Sequence, residues 1–97
     1  MIIKHRNGSV ITNQYASVAD AVRAGVELAY ANLAYANLTG ADLQFAVLTG
    51  ANLTGANLAY AKLSHANLTG ANLAKAKLSR ANLTGAVIFV GNRCVTL

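Results

Sequence analysis

The side chains able to do chemistry are few and scattered. The chain has two histidines, His5 and His65, one cysteine, Cys94, and three acids, Asp20, Glu27 and Asp42. General acid–base work needs paired titratable groups within reach of one another, and no two acids stand at such a spacing. Cys94 has no histidine near it in sequence to activate it. No glycine-rich phosphate loop and no metal-ligand spacing occurs. The sequence therefore reads as a non-catalytic protein with no cofactor and no metal. His65 is expected as an exposed residue, and Cys94 as a small buried apolar one near the end of the fold.

The basic residues offer a different chemistry. Eight Lys+Arg against three acids give a formal charge of +5. Lys62, His65, Lys75, Lys77 and Arg80 gather toward the C-terminal end, expected on two adjoining faces, with Tyr60 beside them. A solvated face that keeps the protein soluble is one reading of this group. The sharper reading is a docking patch for an acidic protein or a nucleic-acid backbone.

The element that positions these residues is set by a period of five. Leu recurs every fifth residue from Leu28 to Leu83, and Ile88 takes the next slot. Ala stands two residues before each from Ala31 to Ala86, with Val26 in the first unit, and mostly Asn lies between. On an α-helix five residues advance about 140° net, so the leucines would spiral around every side. In one continuous strand an odd period would throw successive leucines onto opposite faces. The period fits a short extended segment followed by a corner, with Ala and Leu pointing the same way. Thr-Gly pairs at 39–40, 49–50, 54–55, 69–70 and 84–85 supply the turns, because Gly accepts a positive φ without steric cost.

The units Ala31-Asn32-Leu33-Ala34-Tyr35, Ala51-Asn52-Leu53-Thr54-Gly55 and Ala71-Asn72-Leu73-Ala74-Lys75 resemble the A-(N/D)-L-x-x motif of the pentapeptide-repeat family. The resemblance implies an all-β solenoid, a right-handed quadrilateral β-helix with four units per coil and Leu and Ala inside. Positions twenty apart then stack. Tyr60 lies beside Arg80, which allows a cation–π contact, and Asp42 lies beside Lys62. Asn side chains can stack in amide ladders.

A stack of coils exposes core and strand edges at both ends, so terminal elements are expected. Residues 1–25 read as an N-terminal cap. Ile2-Ile3 and Val10-Ile11 flank Asn7-Gly8, a hairpin signal. Ser17-Val18-Ala19-Asp20 reads as a capping box opening a short α-helix that ends at Gly25. Residues 26–90 form the repeat domain of about three coils, and 91–97 a tail or strand. Phe89, Val90, Val95 and Leu97 make this end apolar, so a homodimer through the C-terminal end is expected. Family members pair in this way, which the resemblance carries over. The alternative is that 91–97 folds back and seals the last coil.

The leading reading is a structural or protein-interaction module with a protein partner. The family also includes inhibitors of DNA gyrase that mimic DNA. That mechanism implies an acidic and longer rod, against which this basic, short chain argues. Weak binding of nucleic acid through the Lys/Arg patch is the third reading. The N-terminus turns polar before an apolar stretch develops, so no signal peptide is expected. The uncharged stretch 43–61 is broken by Asn52, Asn57 and two Thr-Gly pairs and is not read as a membrane span. A lone cysteine fits a reducing compartment, and a cytoplasmic location is expected.

Overall fold

The computed structural model describes residues 3–5, 8, 10–12, 27–90 and 93–96. From Leu28 onward each unit makes the same turn. The Leu carbonyl accepts a hydrogen bond from the Ala N–H three residues on, as in Ala31 to Leu28 at 3.0 Å and Ala56 to Leu53 at 3.0 Å. The residue before that Ala takes a positive φ at every corner from Tyr30 to Gly85. A reverse turn with positive φ at its third residue is the type II geometry, which favours Gly there.

Coils stack with a register of twenty residues, or four units. Asn32 pairs in parallel with Asn52 and Asn52 with Asn72, and the same shift relates Asn37, Asn57 and Lys77. The Leu N–H donates to the coil that follows and the Asn N–H to the coil that precedes. Leu33 donates to Asn52 O at 2.8 Å, and Asn52 donates to Ala31 O at 2.8 Å. Each coil thereby satisfies the backbone groups of its neighbours. The units form four columns. The first is centred on Leu28, Leu48, Leu68 and Ile88, and the second on Leu33, Leu53 and Leu73. The third holds Leu38, Leu58 and Leu78, and the fourth Leu43, Leu63 and Leu83.

The leucines and alanines make one continuous core. Leu43, Leu48, Leu53, Leu58 and Leu63 are fully buried, together with Ala51, Ala56 and Ala61. No polar or charged side chain is buried among the described residues.

Asn follows Ala for a local reason. Its Oδ1 accepts the backbone N–H two residues later, at 3.1 Å for Thr54 on Asn52 and 3.0 Å for Ala74 on Asn72. Thr54 Oγ1 donates to the same Asn52 oxygen at 2.6 Å. The asparagines do stack in register, but the hydrogen bonds they make are these Asx turns rather than a ladder along the axis.

The two ends differ. Strand β1 (Ile3–His5) pairs antiparallel with β2 (Val10–Thr12) and with β3 (Ala31–Asn32). It thus lies along the first coil's edge in the second column, and Ile3 joins the core at 1 % exposure. At the other end β4 (Val87–Val90) turns back into β5 (Arg93–Thr96), with Val87 opposite Thr96 and Val90 opposite Arg93. Val87 also pairs in parallel with Asn67, so β5 takes the place of a further coil over the first column. The helix expected at 17–25 falls outside the described residues.

Candidate functional site

The expected basic group divides by column. Lys75, Lys77 and Arg80 lie in the third coil, around its third-column unit, and all three are exposed. Lys75 is the corner before that unit, Lys77 stands outward within it, and Arg80 is the corner after it. Tyr60 occupies the same corner one coil earlier and is exposed. Although the two corners share a register, no cation–π contact joins Tyr60 to Arg80 among the described residues. Lys62 and His65 lie in the fourth column instead. Lys62 is the register partner of Asp42, whose Oδ1 accepts from Gln44 N at 3.3 Å and Gln44 Nε2 at 3.1 Å.

His65 is an exposed corner residue. Its ring stacks on Phe45, with centroids 5.1 Å apart and planes inclined by 12°. In the next coil it lies over Gly85, where an added Cβ would run into Nδ1 of the ring. Tyr30 covers Gly50 and Tyr35 covers Gly55 in the same manner. Tyr30, Tyr35 and His65 each lean toward the C-terminal coil over a glycine, and Phe45 meets a second flat ring, whereas the corner that follows Tyr60 one coil on is Arg80. The twenty-residue spacing of Tyr30 with Gly50, Tyr35 with Gly55 and His65 with Gly85 is the sequence signal for this packing.

Charge is graded along the stack. Residues 27–45 hold Glu27 and Asp42 and no cation, 46–65 hold Lys62 and His65 and no acid, and 66–85 hold Lys75, Lys77 and Arg80 and no acid. No three of His, Cys, Asp and Glu gather to hold a metal among the described residues. No described helix is long and apolar enough to cross a membrane.

The last coil is also less covered than the rest. Leu73, Leu78 and Leu83 are half-buried, whereas Leu53, Leu58 and Leu63, one coil earlier in the same columns, are at 0 % exposure. The N–H groups of Lys75, Leu78, Arg80 and Leu83 and the carbonyls of Ala76 and Ala81 find no backbone partner among the described residues. Their equivalents one coil back are all bonded, as in Leu58 N to Lys77 O at 2.7 Å. Of the residues expected at a dimer end, Phe89 and Val90 lie in β4 and Val95 lies half-buried in β5. The side chains of Phe89, Val90 and Cys94, and the whole of Leu97, fall outside the described residues.

Comparison with known proteins agrees with the repeat. The family model for pentapeptide repeats matches in eight copies, over residues 27–59 and 51–88. No curated protein matches the chain. Among solved structures it is similar to HetL from the cyanobacterium Nostoc sp. strain PCC 7120, a pentapeptide-repeat protein involved in regulating heterocyst differentiation. The identity is 43% and the TM-score 0.56, over 59% of this chain and 27% of that one. It also matches Rfr23 from the cyanobacterium Cyanothece 51142, at 38% identity and a TM-score of 0.39, over 63% of this chain and 41% of that one. The chain thus spans less than half the length of either.

Proposed function

Because this chain belongs to the pentapeptide-repeat family, we propose that it is a non-catalytic protein-interaction module whose working surface is its last coil. The observation that carries this is the contrast between half-buried Leu73, Leu78 and Leu83 and their fully buried counterparts one coil earlier. Apolar side chains and unpaired strand edges left together in solvent favour association. The involvement of HetL in regulating heterocyst differentiation supports a regulatory binder over a catalyst.

In this reading the four columns are the sides of a right-handed, four-cornered β-helix over 26–90. The hairpin and a helix within 1–25 cap its first coil, and 91–97 is a tail strand. The position of β1 on the first coil and the twenty-residue register support it. The protein works in a reducing, cytoplasmic compartment, consistent with its single cysteine. DNA mimicry is disfavoured, since the second and third coils carry cations and no acid.

The test is capture of a partner from a lysate of the source cells, with Leu78→Asp as control, followed by hydrogen exchange on the complex. The proposal expects capture that Leu78→Asp abolishes, with the Leu78 and Arg80 amides slowed. Capture unaffected by that substitution, with those amides unchanged, overturns it.

A second reading makes the partner another copy of this chain. It is favoured by β1, which occupies the first coil's edge and obstructs head-to-tail stacking, leaving a twofold contact of the C-terminal ends. Light scattering decides it. A dimer mass that falls to the monomer with Phe89→Asp or Val95→Asp supports the reading, and a monomer at high concentration removes it.

A further inference from the structure

Resting on the interaction reading above, we propose that the open edge of the third column binds an extended partner segment with acidic, apolar, acidic alternation. The segment would add itself to the coil as one more strand.

The four columns do not offer the same edge. The first is occupied by β5. The second presents outward Asn72 and Ala74 above Leu73, and the fourth presents Asn82 and Thr84 above Leu83, so neither has a charged residue between its corners. The third presents Lys77 outward, with Lys75 and Arg80 at its two corners, and holds no acid in any coil. Three cations therefore surround one strand edge that has no backbone partner among the described residues, and Leu78 lies half-buried beneath it.

The coil just before supplies the template for what would fit. There Lys77 N–H donates to Ala56 O at 2.9 Å, Leu58 N–H donates to Lys77 O at 2.7 Å, and Tyr60 N–H donates to Ser79 O at 2.9 Å. One coil later the corresponding groups are Ala76 O, Leu78 N–H and Arg80 N–H, and they lack backbone partners among the described residues. Three extended residues of another chain meet all three. Strand alternation then fixes the side chains. The first points outward above Lys77, the second inward onto Leu78, and the third outward above Ser79 and beside Arg80. Main-chain bonds hold such a strand, and the alternating side chains select it. Acidic groups at the two outward places face the three cations, and an apolar residue completes the layer over Leu78.

The surface is complementary to an acidic chain and not to a second copy. A twofold contact of the C-terminal ends would bring Lys75, Lys77 and Arg80 of both copies to one interface, where like charges oppose association.

The experiment is fluorescence anisotropy of the full chain with a labelled heptapeptide centred on Glu-Leu-Glu. Two controls go with it. One is an isomer centred on Leu-Glu-Glu, with the same charge, and the other carries an N-methyl group on the first glutamate. The proposal expects saturable binding that each control weakens at least tenfold, and that Lys77→Glu with Arg80→Glu weakens at least tenfold. Circular dichroism of that double variant shows whether the fold is intact. Hydrogen exchange of the wild type should show the Leu78 and Arg80 amides slowed by the peptide. Equal binding of the Glu-Leu-Glu and Leu-Glu-Glu peptides, with no slowing of those amides, overturns the strand and leaves unspecific attraction to anions. Slowing that depends on protein concentration alone, with no peptide binding, overturns it in favour of a second copy. If no peptide binds while Leu78→Asp still abolishes capture of a protein partner, the interaction reading survives and this inference falls.

Discussion

At the residue scale the repeat is a balance between packing and backbone strain. Every corner from Tyr30 to Gly85 holds a positive φ, yet only five of those twelve residues are glycine. Tyr30, Tyr35, Phe45, Tyr60, His65, Lys75 and Arg80 adopt φ values of 58–62°, a region that costs an ordinary side chain about 1–2 kcal/mol. Tyr30, Tyr35 and His65 offset part of this by lying over glycines of the next coil. Gly55→Ala should destabilise by about 1–2 kcal/mol, through the backbone at φ +66° and the Tyr35 ring 2.5 Å from the new Cβ. In a Tyr35→Ala background the cost should shrink but persist, and chemical denaturation measures both. Full relief in that background would mean that only the ring mattered. Lys75→Gly should be neutral or stabilising by less than about 1 kcal/mol, since strain relief is set against greater freedom of the unfolded chain. The core leucines differ with depth. Leu58→Ala should cost about 2–5 kcal/mol, and Leu78→Ala less, because Leu78 is already partly exposed. Equal losses on denaturant unfolding would contradict the open last coil.

At the scale of elements, stability depends on what occupies each end of the stack. Ile3 brings β1 into the core at 1 % exposure, while β1 pairs with Ala31–Asn32. Ile3→Asp would bury a carboxylate without a partner, and a loss of about 3 kcal/mol or more is expected. Native-state hydrogen exchange should show the same substitution speeding the Asn32 amide before those of Asn52 and Asn57. A uniform acceleration along the stack would mean that β1 supports the whole rod cooperatively rather than its first coil.

At the scale of the whole molecule, the repeat stack of residues 27–85 is polarised by charge, with acids in the first coil and cations in the third, while Lys4 on β1 lies beside the first coil. A polyanion would be drawn to the third coil, and binding through phosphates alone would weaken steeply with salt. Three cations in one coil are a small footprint for such binding. Little or no DNA or RNA binding is therefore expected at physiological salt, measured by filter binding or anisotropy. Tight binding that falls with salt and with Lys75→Glu plus Lys77→Glu would promote a nucleic-acid partner over a protein one.

The sequence by itself determined the repeat, the buried Leu and Ala and the turn after each Leu, because a five-residue period puts those residues inward only when a corner follows each short strand. It also contained the signals for the β1–β2 hairpin, in Ile2-Ile3, Asn7-Gly8 and Val10-Ile11. Stacking decided the rest. The Asx turns were hidden because a ladder of amides and a local bond to the next turn use the same Asn at the same spacing. Phe45 meeting His65, while Tyr60 and Arg80 make no cation–π contact, depends on how each ring leaves a corner whose φ is positive, and the repeat pattern does not encode that direction. Which end stays open was decided by strand pairing across long separations. Ile3 joins the first coil, whereas β5 returns over the first column, and among the described residues no strand pairs with the edge beside Lys75, Lys77 and Arg80. Such pairings rest on backbone groups that every residue carries, so no side-chain pattern announces them.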